Sequence, residues 1–173
     1  SSILSLLIEK RMKKIIIFFF LGTGHAKRIA LWIYESATAT GIECHLMNIA
    51  HEPLKQNAAI DKDALLIFIS PIHGFNYPKI TLDFIRRFPP GTNRVVLMNT
   101  RAGMKIGNWI TPGLTGIAFY LSSFWLRNKG YRITGQIPYD MPSNWISLHP
   151  ALNKNTVQYI HQTNHGRLKK HFS

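Results

Sequence analysis

The residues best placed by type and spacing to do chemistry lie in one short stretch, Leu21-Gly22-Thr23-Gly24-His25-Ala26-Lys27. It separates an apolar run, Ile15 to Phe20, from a helical pattern traced by Ala26, Ile29, Ala30, Ile33 and Ala37. A glycine-rich turn between a buried strand and a helix presents backbone amides where the helix dipole favours an anion, so the chemistry offered is phosphate binding. Thr23 adds a hydroxyl donor and Lys27 a cation in the first helical turn. Two other phosphate motifs fit less well. A nucleotide-triphosphate loop would close on Gly-Lys-Ser/Thr, which is absent. A dinucleotide fingerprint needs a glycine where Lys27 stands and an acid at the end of the second strand, whereas Glu43 stands at that strand's start. An ordinary tight turn that binds nothing is the remaining alternative.

Other constellations are weaker. His161 and His165 stand four apart, the spacing of a two-histidine metal site, but no glutamate follows His161 and the segment is basic, so no metal site is expected. Cys44 is the only cysteine, which excludes an internal disulfide and an all-cysteine iron–sulfur site within one chain. It is expected to pack on the second strand rather than act as a nucleophile. Acidic and histidine residues form no acid–base motif, and no catalytic side chain is assigned.

The elements that must position the first loop follow from hydrophobic pattern. Ile15–Phe20 and Ala64–Ser70 are apolar throughout, as strands buried on both faces of a parallel sheet are. Glu43–Ile49, Arg94–Asn99 and Arg132–Tyr139 read as further strands. Helices are predicted from the first loop to about Gly41, over Lys79–Phe88 with Ile80, Phe84, Ile85 and Phe88 inward, up to Gly130, and from Pro150 to about Gln162. The uncharged segment Asn108–Leu126 is long enough to resemble a membrane span, but Pro112, Gly113 and Gly116 weaken it. Leu114, Ile117, Ala118, Leu121 and Trp125 recur at helical spacing, as in a helix docked on a core. Arg127 and Lys129 then complement the dipole at that helix's end. Strands alternating with helices predict an α/β fold, a doubly wound five-stranded parallel sheet of order 2-1-3-4-5. In such sheets ligands sit beyond the carboxyl ends of the strands, which singles out residues 21–27, 71–78 and 100–109.

The 173 residues suit one domain, expected over 12–163, with an N-terminal extension at 1–11 and a basic tail at 164–173. The apolar stretch before Glu9-Lys10-Arg11 has the reverse order of a secretory signal, and Met12-Lys13-Lys14 looks like a start, so a cytoplasmic location is expected. A formal net charge of +13 bears on partners rather than fold. Aromatic and basic residues are not interleaved along one element, so no nucleic-acid partner is expected, and no transmembrane segment.

The run Phe19-Phe20-Leu21-Gly22-Thr23-Gly24 resembles the phosphate loop of the flavodoxin family, Ser/Thr-x-Thr-Gly-x-Thr, with Leu21 and Ala26 in place of its flanking hydroxyl residues. Ser70 to Lys79 resembles that family's second loop, and Asn99 to Gly107 with Met141 to Ile146 resemble the flavodoxin-like half of bacterial flavodoxin–ferredoxin fusion-type proteins. The similarity runs from about Met12 to Ile160. The resemblance implies flavin mononucleotide (FMN) as cofactor, its phosphate on Gly22, Thr23, Gly24, His25, Ala26 and Lys27. It implies that Pro71, Ile72, His73, Gly74 and Phe75 pass beside the flavin ring, and that Thr100, Arg101, Ala102 and Gly103 approach its pyrimidine edge.

On that basis the chain is expected to be an FMN-dependent electron-transfer or oxidoreductase module. The expected partner is a redox protein, of which a separately encoded ferredoxin-type protein is one form, since the one cysteine in these residues cannot build that half's four-cysteine clusters. Two alternatives stay open: an interaction module that has lost FMN, and an NAD(P)H-dependent flavin or quinone reductase.

Overall fold

A computed structural model describes residues 13–20, 24–51, 60–72, 76–102 and 116–141. Within them the chain runs β1 (Lys14–Phe19), α1 (His25–Ala39), β2 (Glu43–Asn48), β3 (Leu65–Pro71), α2 (Lys79–Arg87), β4 (Arg94–Ala102), α3 (Gly116–Asn128) and β5 (Arg132–Met141). The strands form one sheet of order β2-β1-β3-β4-β5, every neighbouring pair parallel. This is the predicted doubly wound α/β architecture. The helix expected at 150–162 and the two chain ends lie outside the described residues.

Alternation along the strands divides the core in two. Ile15, Ile17 and Phe19 of β1, with Ile67, Ile69, Val96 and Met98, meet Ala26, Ile29, Ala30 and Ile33 of α1. All five predicted apolar positions of that helix are buried, which is why its 3.6-residue period was legible. Gly41, at φ 80, ends the helix, and its amide donates to the Thr38 carbonyl. On the other face Ile16, Phe18, Leu66, Phe68, Val95 and Leu97 meet Ile85, Phe88, Ala118 and Leu126 of the α2–α3 layer. Phe18 stacks on Phe68 with centroids 5.1 Å apart, and Phe88 meets both edge-on.

Several boundaries and faces differ from expectation. β4 continues to Ala102 instead of ending at Asn99, because Thr100, Arg101 and Ala102 pair with Tyr139, Asp140 and Met141. Pro71 joins β3 opposite Thr100. Ile80 was expected inward but is exposed; Thr81 takes the buried position instead, its hydroxyl 2.9 Å from that of Ser70. α3 presents Ala118, Phe119, Ser122, Ser123 and Leu126 to the core with Trp125 packed against it; of the expected positions Ile117 instead stands outward, and Leu114 lies outside the described residues. Two serines hid part of the inner face from a hydrophobicity count.

Lys129 also acts differently from the expected cap on its own helix. Its Nζ donates to the carbonyls of Ile85 (2.9 Å), Phe88 (2.6 Å) and Arg86, at the carboxyl end of α2. Tyr131 Oη donates to Pro89 O at 2.6 Å, and Gly91 N to Lys129 O at 3.0 Å. The two helix ends are thus fastened across a gap of more than 40 residues in sequence. Lys129→Met keeps the apolar stem but removes the donors; discounted for partial exposure, it should cost about 1–2 kcal/mol in chemical denaturation.

Cys44 lies on β2, packed into the α1-side core as predicted. Burial pushes its thiol up to about 11. At pH 7 the thiolate is then about one part in ten thousand, and a disulfide reagent should label the native chain slowly and the denatured chain completely.

Candidate functional site

The carboxyl ends of the strands gather the candidate residues. At the end of β1, Phe20 N donates to Ile69 O (3.1 Å) and Phe19 O accepts from Ile49 N (3.0 Å), so β1 is held centrally between β3 and β2. Residues 21–23, including Gly22 and Thr23, lie outside the described residues. The chain re-enters at Gly24, whose φ of 76 lies in the left-handed region that glycine adopts without strain. A Cβ there would meet nothing within 4 Å, so the backbone stands in open space.

Gly24 caps α1 with no side-chain hydrogen bond, and the first turn carries no acidic residue. The first-turn amides of this 15-residue helix lie where the helix dipole favours an anion, and no acidic residue stands in that turn. Lys27 is exposed in that turn and His25 half-buried. Ala26 is 0% exposed, its methyl packed in the α1-side core, so it can serve a ligand only through its amide.

Ile72 N donates to Thr100 O at 3.1 Å, extending the β3–β4 pairing one residue past Pro71. Pro71 is buried and Ile72 half-buried, while His73, Gly74 and Phe75 lie outside the described residues. Tyr77, within the stretch that resembles the family's second loop, is buried: its hydroxyl donates to Met98 O at 3.2 Å and its ring meets Phe119. Thr100, Arg101 and Ala102 belong to β4 rather than to a loop, and Gly103 falls outside the described residues.

The carboxyl end of β4 holds polar groups that pattern reading passed over. Thr100 Oγ1, both side-chain atoms of Asn99, and Ser122 Oγ of α3 are buried with no hydrogen-bond partner among the described residues. By strand alternation Thr100 shares the face of Met98 and α1, whereas Asn99 shares that of Leu97, α2 and α3. Buried polar atoms are nearly always satisfied, so unpartnered groups at the carboxyl end of β4, one on each face of the sheet, are notable there. The available signal was an asparagine closing the apolar run Val95–Met98.

Among the described residues this edge offers a helix N-terminus with no acid in its first turn after a central strand and, at the end of β4, buried hydroxyl and amide groups without a described partner. Among the described residues no helix is long and apolar enough to cross a membrane.

No protein-family model and no curated protein matches the sequence. Solved structures do match the fold. Oxidised flavodoxin 1 from Bacillus cereus aligns at a TM-score of 0.63 and 12% identity, over 86% of this chain and 97% of that one. A Fusobacterium nucleatum flavodoxin variant bound to flavin mononucleotide aligns at 0.60 and 15%, over 88% and 98%. The Flv1 flavodiiron core from Synechocystis aligns at 0.61 and 14%, over 93% of this chain but only 38% of its own length. The chain has the flavodoxin-like fold and spans under two fifths of that flavodiiron protein.

Proposed function

We propose that this chain is an FMN-binding, flavodoxin-like electron-transfer or oxidoreductase module of the cytoplasm, with the FMN phosphate at the loop after β1. The observation that carries the reading is the N-terminus of α1, free of acidic residues in its first turn and opening from left-handed Gly24 at the switch point between β1 and β3. That is where doubly wound sheets of this strand order hold a phosphate. The flavodoxin-like neighbours support it through fold.

FMN, when bound, supplies electron-transfer chemistry that no side chain provides. The chain's part is to hold and orient it. Gly22, Thr23 and the amides of His25, Ala26 and Lys27 serve the phosphate, and Lys27 adds positive charge. Pro71 to Phe75 line one side of the ring. Thr100 supplies a hydroxyl, and Arg101, Ala102 and Gly103 complete the edge. The proposed partner is a redox protein, such as a separate ferredoxin-type protein, in keeping with the fusion-type resemblance.

Incubating the full chain with FMN, removing the excess and recording the visible spectrum tests this. Retained flavin absorbance at about one equivalent is expected. Leu21→Ser restores a donor to a charged group, and should tighten titrated affinity about tenfold or more. One specific observation favours a second reading: Leu21 and the wholly buried Ala26 offer no hydroxyl to a phosphate. If neither the native chain nor Leu21→Ser retains FMN, an interaction module that has lost its cofactor is the better account.

A further inference from the structure

Between Asp83 and Asp140 the sequence contains no acidic residue, yet eight lysines and arginines. The fold gathers part of this charge. Lys129 and Tyr131 fasten the end of α3 to the end of α2, so the helix ends that carry Arg86, Arg87 and Arg127 lie together, with Arg132 at the start of the neighbouring edge strand. All four are exposed, and Arg86 lies over the Trp125 ring at 5.7 Å.

The outer face of α3 leads into this cationic end. Ile117, Tyr120 and Phe124 stand 49%, 71% and 53% exposed, at the helical spacing that continues to Arg127. They make a row about 15 Å long, apolar and aromatic for two-thirds of its length and cationic at its end. Exposed aromatics in a row on one helix require a covering, unlike a single exposed leucine.

We propose that the α3 face, with the arginines at the α2–α3 ends, is a peripheral docking surface for an anionic lipid bilayer. Charge complementarity selects the occupant. A second copy of a chain with net charge +13 would bring like charge against like. The row places apolar and aromatic side chains beside cations along one helix, the pattern of an interfacial helix rather than of an acidic-protein site, which needs only the cations. On a fluid surface Tyr120 and Phe124 enter the headgroup level while the arginines meet lipid phosphates. This surface is independent of FMN.

The test is co-sedimentation of the full chain with vesicles of phosphatidylcholine, with and without phosphatidylglycerol as about a third of the lipid, near physiological salt. Binding only to the anionic vesicles is expected. Neutralising Arg87 and Arg127 together (R87Q/R127Q) should weaken it by about fivefold per arginine. Tyr120→Ser with Phe124→Ser should weaken it at least tenfold; both positions are solvent-exposed, and an unchanged melting curve checks folding. No binding to anionic vesicles, equal binding to neutral ones, or wild-type binding by either double variant overturns the proposal. So does retention on polyglutamate that the arginine pair controls and the aromatic pair does not, which would assign the surface to an acidic protein.

Discussion

Gly130→Ala should destabilise the chain by about 2–5 kcal/mol, the sum of an unfavourable backbone conformation and a steric overlap. Gly130 sits at φ 99, where an L-residue is strained, and a Cβ there would lie 2.6 Å from the carbonyl oxygen of Gly91. That oxygen is backbone and cannot swing aside. Gly41→Ala is the matched control: φ is 80, but a Cβ would meet nothing within 4 Å. It should lose only the backbone part, about 1–2 kcal/mol. Urea unfolding of both variants measures the difference, which isolates the contact with Gly91. Equal losses would show that the 130–91 approach relaxes without cost.

The second large effect has the opposite sign. Asn99→Leu should stabilise the FMN-free chain by about 2–4 kcal/mol, because it removes two buried, unpartnered polar atoms in exchange for a side chain of similar volume. If the β4 end is the cofactor edge, the gain comes with a loss: FMN should stabilise the native chain more than the variant, since a ligand raises stability only through its affinity for the folded state. Thermal melts with and without FMN show both. A destabilised Asn99→Leu would mean that an internal water already satisfies the amide.

Much of the scaffold was legible because burial on both faces of a strand leaves an unbroken apolar run. Ile15–Phe19 and Leu65–Ile69 could be nothing else at that length, and α1 announced itself through Ala26, Ile29, Ala30, Ile33 and Ala37. Strand order followed from the alternation of elements. What escaped was set by contacts distant in sequence. β4 runs on to Ala102 because β5 pairs with it there, and nothing within Thr100-Arg101-Ala102 signals that. Thr81 turns inward because Ser70 waits for its hydroxyl, displacing Ile80 outward. Lys129 looked like the cap of its own helix and serves the preceding one. At the candidate site, the glycine turn before α1 was visible in the sequence, and the structure describes it from left-handed Gly24 onward. The orphaned Asn99 and Thr100 were not visible, since burial without a partner is a property of the assembled sheet end.

The fastening of α2 to α3 also bears on how the chain opens. Lys129, Tyr131 and Gly91 tie both ends of the segment that contains β4, and β4 pairs with strands on either side. Neither helix end can fray without releasing the other, so local opening there becomes a joint event. Native-state hydrogen exchange should then show the amides of Phe88, Lys129, Gly130 and Tyr131 exchanging with one common free energy, as a single cooperative unit. Lys129→Met should split that unit, letting the end of α2 exchange ahead of α3.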